Sequence, residues 1–234
     1  MNDFLDRYSK ETSEYAKNIP SWHAEHSEWK ARNILHLLKK NNVNPQTIAE
    51  IGCGAGEILN QMHSRLSNNV EYFGYDIAPD AIKLAKQREK ERLSFYLENL
   101  FETSRHFDLL LMIDVCEHVE NYYDFLLQCK KKADYMVVGI PLDISFRTIL
   151  RSNNLTVRRN IAGHIHFFCS QSALLMLENC NFEIMDCDYY SNIIEDRKCG
   201  FLHMFFDFIV RSLCGRRRAA DIAGDYTLYA LLKC

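Results

Sequence analysis

The stretch "AEIGCGAGE" (Ala49–Glu57) decides the fold. The short apolar run "TIAEIG" (47–52) leads into it, and "GEILNQMHSRL" (56–66), with apolar residues at helical spacing, leads out. The pattern is strand, tight turn, helix. Gly52, Gly54 and Gly56 let the backbone turn sharply and approach a ligand without a Cβ in the way. A dinucleotide fingerprint, G-x-G-x-x-G, would place its third glycine one residue later. Here position 57 is an acid, Glu57, where a pyrophosphate would meet the helix N-terminus, and a second acid, Glu50, precedes the loop. A glycine loop flanked by carboxylates suits a zwitterionic, cationic ligand better than a dianionic one.

Reading outward, further strands are expected at "VEYFGYDI" (70–77), "LSFYLEN" (93–99), "FDLLLMID" (107–114), "DYMVVGIP" (134–141), "NFEIMDCDYY" (181–190) and "YTLYALLK" (226–233). Between them helical spacing recurs, from Pro79 to about Glu91, over "EHVENYYDFLLQCKKK" (117–132), and over "SQSALLMLENC" (170–180) behind a serine cap. "WHAEHSEWKARNILHLLKKNN" (22–42) places Trp29, Ile34, Leu37 and Leu38 on a helical stripe. Residues 142–168 read as a loop with a basic turn, and 195–224 as irregular or helical. Strands alternating with helices at this spacing imply a mostly parallel sheet covered on both faces.

The chain has 234 residues, 47% apolar and 25% charged, which suits one domain with a substantial core. A net charge of −3 supplies no general field for nucleic acid, which is not expected as a partner. No signal peptide or membrane-spanning run is expected. Nine cysteines without CxxC spacing read as reduced, buried thiols of a cytoplasmic protein, with no zinc held through sulfur.

Asp76 ends the second strand, 24 residues after Gly52, where a carboxylate can accept both hydroxyls of a ribose. A plain helix cap is its alternative role. With the glycine loop, it points to S-adenosylmethionine, which has the required charge; an NAD-dependent dehydrogenase is the competitor at the level of the fold. The segments "IAEIGCGAGE", "GYDIAP", "LENLFE", "FDLLLMIDVCEHVEN" and "GHIHFFCSQSALLMLENCNFEI" resemble the successive motifs of class I S-adenosylmethionine-dependent methyltransferases, over about residues 25–190. They look most like the small-molecule branch that includes the ubiquinone-biosynthesis O-methyltransferases. The resemblance implies an α/β, Rossmann-like three-layer sandwich with an antiparallel last strand, order 3-2-1-4-5-7-6, and an N-terminal helical cap. It implies a cap over 1–45 and a methyltransferase domain over 46–234, with 142–168 and 195–224 inserted around the substrate. It further implies Glu50 at the methionine end, the Gly52–Gly56 backbone with Cys53 along the cofactor, Asp76 on the ribose and Ile77 against adenine. Asn99, beside Leu100, stands where the family usually has an aspartate for the adenine amino group, and its carbonyl oxygen can accept in that role.

"DVCEHVEN" (114–121) admits three readings. Asp114 and Glu117 can cap the following helix, leaving His118 a polar wall of the cofactor pocket. His118 can act as a general base on an acceptor hydroxyl. Or Asp114, Glu117, His118 and a later histidine, His164 or His166 of "GHIHFF", hold Mg²⁺ or a similar ion; this resembles the metal pattern of ubiquinone O-methyltransferases and small-RNA 2′-O-methyltransferases. His164 is the histidine expected near substrate.

Outside the sheet, Trp22, His23 and Trp29 are candidates for a lid, or for simple packing of an amphipathic helix. "FLHMFFDFIVRSLCGRRR" (201–218) joins an apolar segment to a basic cluster. It suits a membrane surface, a lipid-linked substrate, a dimer contact, or a cap helix whose phenylalanines roof the pocket. The expected function is methyl transfer to a small-molecule acceptor, such as the hydroxyl of a phenol, sugar or lipid-linked compound, by a monomer or homodimer. RNA 2′-O-methylation and non-catalytic cofactor binding in a partner subunit are the alternatives.

Overall fold

A computed structural model describes residues 17–22, 24–66, 69–151, 154–191 and 201–234, the last span without the side chains of 201–203. The strands are β1 (Thr47–Ile51), β2 (Glu71–Asp76), β3 (Leu93–Leu97), β4 (Phe107–Ile113), β5 (Ala133–Leu142), β6 (Glu183–Ser191) and β7 (Tyr226–Lys233). They form one sheet in the order β3-β2-β1-β4-β5-β7-β6. β7 runs antiparallel to both of its neighbours, and the other pairings are parallel.

Both faces of the sheet are buried because β4 is apolar but for Asp108, and β7 but for Thr227 and Lys233. Leu109, Leu111 and Ile113 of β4 join Tyr229 and Leu231 of β7 in one core. Leu110 and Met112 join Leu228, Ala230 and Leu232 in the other. Helices α1 (Ser27–Lys40), α2 (Glu57–His63) and α3 (Pro79–Ala85) cover the first face. Helices α4 (Tyr122–Lys130), α7 (Ser170–Asn179) and α8 (Phe201–Ala223, kinked at Gly215) cover the second. The start of the central pair is pinned by Asp108, whose carboxylate accepts the Gln46 and Thr47 N–H groups at 2.6 and 2.8 Å.

Several local expectations change. The helix anticipated over 117–132 is two elements: a 3₁₀ turn at Cys116–His118, then α4. α4 is capped by Asn121, whose side chain accepts the Asp124 N–H at 3.2 Å, so Asp114 and Glu117 are not its caps. Residues 142–168 are not a plain loop. They hold α5 (Phe146–Leu150), opened by a reciprocal Ser145–Thr148 capping box, and α6 (Asn154–Ala162). Cys169, not a serine, occupies the cap position of α7, and Ser170 Oγ donates to Asp221 at 2.5 Å. The helix after Pro79 ends at Ala85 and continues as a 3₁₀ turn, Lys86–Arg88. α1 is a full member of the helical layer, with Ala31, Ile34, Leu37 and Leu38 in the core, and it also reaches the pocket described below.

α8 is fastened to the carboxyl-edge end of the sheet by one buried bond, Tyr226 Oη donating to Asp207 Oδ1 at 2.6 Å. Tyr226→Phe leaves that carboxylate without its donor and is expected to cost about 1–3 kcal/mol. A urea-unfolding midpoint equal to the parent's would contradict this.

Candidate active site

The loop from β1 into α2 reverses through Gly52 (φ 69°), Gly54 (φ 53°) and Gly56 (φ 74°). Two of these positions exclude a side chain by space as well as by φ. A Cβ at Gly52 would stand 2.7 Å from Val115 Cγ2, and one at Gly56 2.4 Å from the Phe95 ring. The Gly54 N–H donates to Asp76 Oδ2 at 2.8 Å, and the Ala78 N–H to Asp76 Oδ1 at 2.9 Å. Burial pushes the Asp76 carboxyl upward, and these bonds oppose it. Asp76, Ile77, Asn99 and Leu100 line one side of a pocket of about 940 Å³ along the carboxyl edge of the sheet. The Asn99 side chain accepts the Phe101 N–H at 3.1 Å, starting a short 3₁₀ turn, so the loop after β3 is held in place.

Glu57 does not present a bare charge to the pocket. Arg88 pairs with it, and Gln61 and Asn60 donate to it, which removes the repulsion argued from sequence. Glu50 is different. It is 1% exposed, its Oε2 has no hydrogen-bond partner, and burial pushes its carboxyl well up. The countercharge comes from Lys30 of α1, which makes a 2.7 Å ion pair with Asp114 Oδ2. Asp114 sits at φ 55°, a left-handed conformation, pairs with α1 through Lys30, and is not among the side chains that converge as a metal set.

Glu117, His118 and His164 do converge. His118 Nε2 and His164 Nε2 lie 3.7 and 3.9 Å from Glu117 Oε1. His118 Nδ1 meets the Gly163 carbonyl at 3.2 Å, and His164 Nδ1 meets Asp143 Oδ2 at 2.6 Å. A carbonyl and a carboxylate only accept, so each Nδ1 donates, and each Nε2 is turned toward Glu117. Glu117 is fully buried, and neither of its carboxylate oxygens has a hydrogen-bond partner. Burial, with Asp114 and Asp143 nearby, drives its carboxyl well above the usual range. Its backbone carbonyl accepts the Ile165 and His166 N–H groups, clamping the "GHIHFF" strap over the 3₁₀ turn. His166 faces elsewhere, bonding the Val119 carbonyl at 3.0 Å and packing edge-on against Tyr122.

A family described as a methyltransferase domain matches residues 21–186. The chain belongs to that family. It is 26% identical to a ubiquinone biosynthesis O-methyltransferase of Glaesserella parasuis over 139 residues, 52% of this chain and 58% of that protein. The chain thus spans little more than half of that relative's length. A ubiquinone biosynthesis O-methyltransferase of Rickettsia bellii is 26% identical over 186 residues, 70% of this chain and 74% of its own. The N-methyltransferase NodS of Bradyrhizobium japonicum, solved with S-adenosylhomocysteine, superposes with a TM-score of 0.56 at 17% identity, covering 88% of this chain and 87% of that one. Sheet order and family together make this a class I S-adenosylmethionine-dependent methyltransferase fold.

Within this methyltransferase domain, Trp22 lies over the glycine loop, 3.6 Å from where a Gly54 Cβ would stand, and Trp29 lines the pocket. His23, like residues 195–200 of the second insertion, lies outside the described residues. The phenylalanine roof expected from 201–218 is not found: none of the described α8 side chains lines the pocket, and Phe205, Phe206 and Phe208 are exposed. Sequence reasoning missed Lys30 and Asp143. Lys30 had a signal, since it falls four and seven residues before Ile34 and Leu37 on the buried stripe of α1. Asp143 had none.

Folding raises the Glu117 carboxyl above its unfolded value. Its contribution to stability is therefore fully present below the ordinary glutamate range and is lost as pH rises through the folded value. In ligand-free protein, Glu117→Gln is expected to melt higher than the parent at neutral pH and to lose that advantage near about pH 4. Calorimetry across this range checks it; an advantage that does not vary with pH would contradict it.

Proposed function

We propose that the chain transfers the methyl group of S-adenosylmethionine to a hydroxyl of a small-molecule acceptor, at the Glu117–His118–His164 end of the pocket. The observation that carries this is the buried Glu117 carboxylate, unpartnered, between two imidazoles beside a glycine-loop pocket.

The chain's residues fit the cofactor. The cradle at Gly52 and Gly56 would be filled by a Cβ, and the orphaned Glu50 Oε2 wants a cationic donor. When bound, S-adenosylmethionine supplies a methyl group made electrophilic by its sulfonium. Asp76 would accept the ribose hydroxyls, Ile77 and Leu100 would wall the adenine and Asn99 would accept its amino group. Glu50 would take the methionine ammonium, and Lys30, the one lysine among the described residues of the lining, its carboxylate. Methyl transfer is an in-line displacement, so what remains for the protein is to align the acceptor oxygen and remove its proton.

When Glu117 is ionised and both imidazoles are neutral, three acceptors face one another and suit a cation between them. Each imidazole has its Nδ1 held by an oxygen, the support that a metal-binding histidine commonly has. Glu117, His118 and His164 offer ligand atoms all within 4.8 Å of one another, so the donor set fits a divalent cation. Two nitrogens and one carboxylate favour Mn²⁺, Fe²⁺, Co²⁺ or Zn²⁺ over Mg²⁺. Such an ion would acidify a hydroxyl placed beside it. Without it, His118 is the side chain placed to take the proton.

The test is incubation with methyl-labelled cofactor and a pooled small-molecule extract. Label is expected in a low-molecular-weight product. Glu117→Gln is expected to lower transfer by about a hundredfold with cofactor affinity nearly unchanged, and Asp76→Ala to weaken cofactor binding by about tenfold or more. Full activity in Glu117→Gln would sink the assignment of this cluster. Activity indifferent to chelators, with no metal retained, would sink its metal.

A further inference from the structure

A second cavity, of about 300 Å³, lies between the end of β5, α5 and α6. It shares Arg158, Ala162 and Asp225 with the main pocket, so the two meet along one wall. Its lining is of two kinds. Arg147, Arg151 and Arg158 bring three guanidinium groups, and Leu142, Leu155 and Ile161 bring apolar surface.

Among the described residues, the carboxylates of this lining are Asp143 and Asp225, beside three guanidinium groups. Asp225 takes Arg147 at 2.7 Å and Arg158 at 3.2 Å, and Asp143 Oδ1 takes Arg158 Nε at 3.4 Å. Each guanidinium has five N–H donors in a fork matched to a carboxylate or phosphate, and these contacts leave donors of Arg158 over. Arg151 is exposed, with no acceptor recorded for its guanidinium among the described residues. α6 has no buried residue, so this basic wall is held against the sheet mainly by the aspartates of Arg158.

The cavity is also wired to the reacting end of the pocket. Asp143 accepts from His164 through one oxygen and lies beside Arg158 through the other, so a single carboxylate separates the arginine from the imidazole. A ligand whose charged group sits on Arg158 extends along the shared wall toward His164 and Glu117.

We propose that this second cavity is an acceptor subsite, which takes an anionic group, carboxylate or phosphate, carried on an apolar body. It rests on the methyltransferase reading only in calling that ligand an acceptor. Arg158 and Arg151 are its specificity residues: a charged partner draws on their spare donors, and a neutral or cationic one does not.

The test is binding, measured by calorimetry on the full chain loaded with S-adenosylhomocysteine, using decanoate, decyl phosphate, decanol and decyltrimethylammonium as probes. Decanoate or decyl phosphate is expected to bind about tenfold or more tightly than decanol and the ammonium, and the better anion identifies the group the site prefers. Arg151→Ala, which removes an exposed side chain, is expected to cut that preference about fivefold, and Arg158→Gln to abolish it. Decanol binding as tightly as decanoate, no binding by any probe, or a preference unchanged in both variants would overturn the proposal. In each of those cases normal S-adenosylhomocysteine binding would leave the methyltransferase reading standing, whereas failure of the unaltered chain to bind S-adenosylhomocysteine would count against that reading instead.

Discussion

One hydrogen bond organises the pocket: the Gly54 N–H donating to Asp76 Oδ2. It ties the loop after β1 to the end of β2, and so fixes the spacing of two neighbouring strands at the edge where open α/β sheets bind ligands. The bond needs an exposed N–H, which needs the left-handed turn, which in turn needs glycine where Val115 and Phe95 press in. Loop, second strand and third strand thus constrain one another. A change to any of them moves the wall of the pocket before it touches a ligand.

The second constraint is electrostatic. Glu50, Asp114 and Glu117 bring three carboxylates to the pocket floor, where ionised groups are costly to desolvate. Lys30 brings a positive charge there, and it lowers the cost of both Glu50 and Glu117. The remaining negative field suits a cationic cofactor and a cation at Glu117. The second cavity is the reverse, with Arg158 on the shared wall and Arg147 and Arg151 behind it. Two adjoining cavities therefore carry opposite fields.

The sheet was legible in the sequence because its strands are apolar runs bounded by glycine, proline and charge, and because "AEIGCGAGE" with Asp76 allows few alternatives. Glu117, His118 and His164 were legible as a pattern, and their ligand atoms lie within 4.8 Å of one another. Other features depended on tertiary contacts without a local signature. Asp114 has the composition of a metal ligand or a cap, but its positive φ and Lys30 settle where it turns. The helices of 142–168 are short and rich in arginine and asparagine, so their periodicity is weak; a capping box and ion pairs to Asp225 hold them. A roof was one reading of the α8 phenylalanines because they are apolar, yet the buried side chains described in α8 are Asp207, Val210, Ala219, Ala220 and Ala223.

β7 pairs with β5 on one side and β6 on the other, while β6, among the described residues, pairs only with β7. A ribosome makes β6 some thirty-five residues before Tyr226. Throughout that interval Glu183–Ser191 has no strand to pair with, and β5 shows an open edge of apolar residues to whatever else is near. The nascent chain thus passes through a state with two unmatched strand edges, the kind of surface that chaperones hold and that aggregates when they do not. The last strand to be made is the one that closes them both.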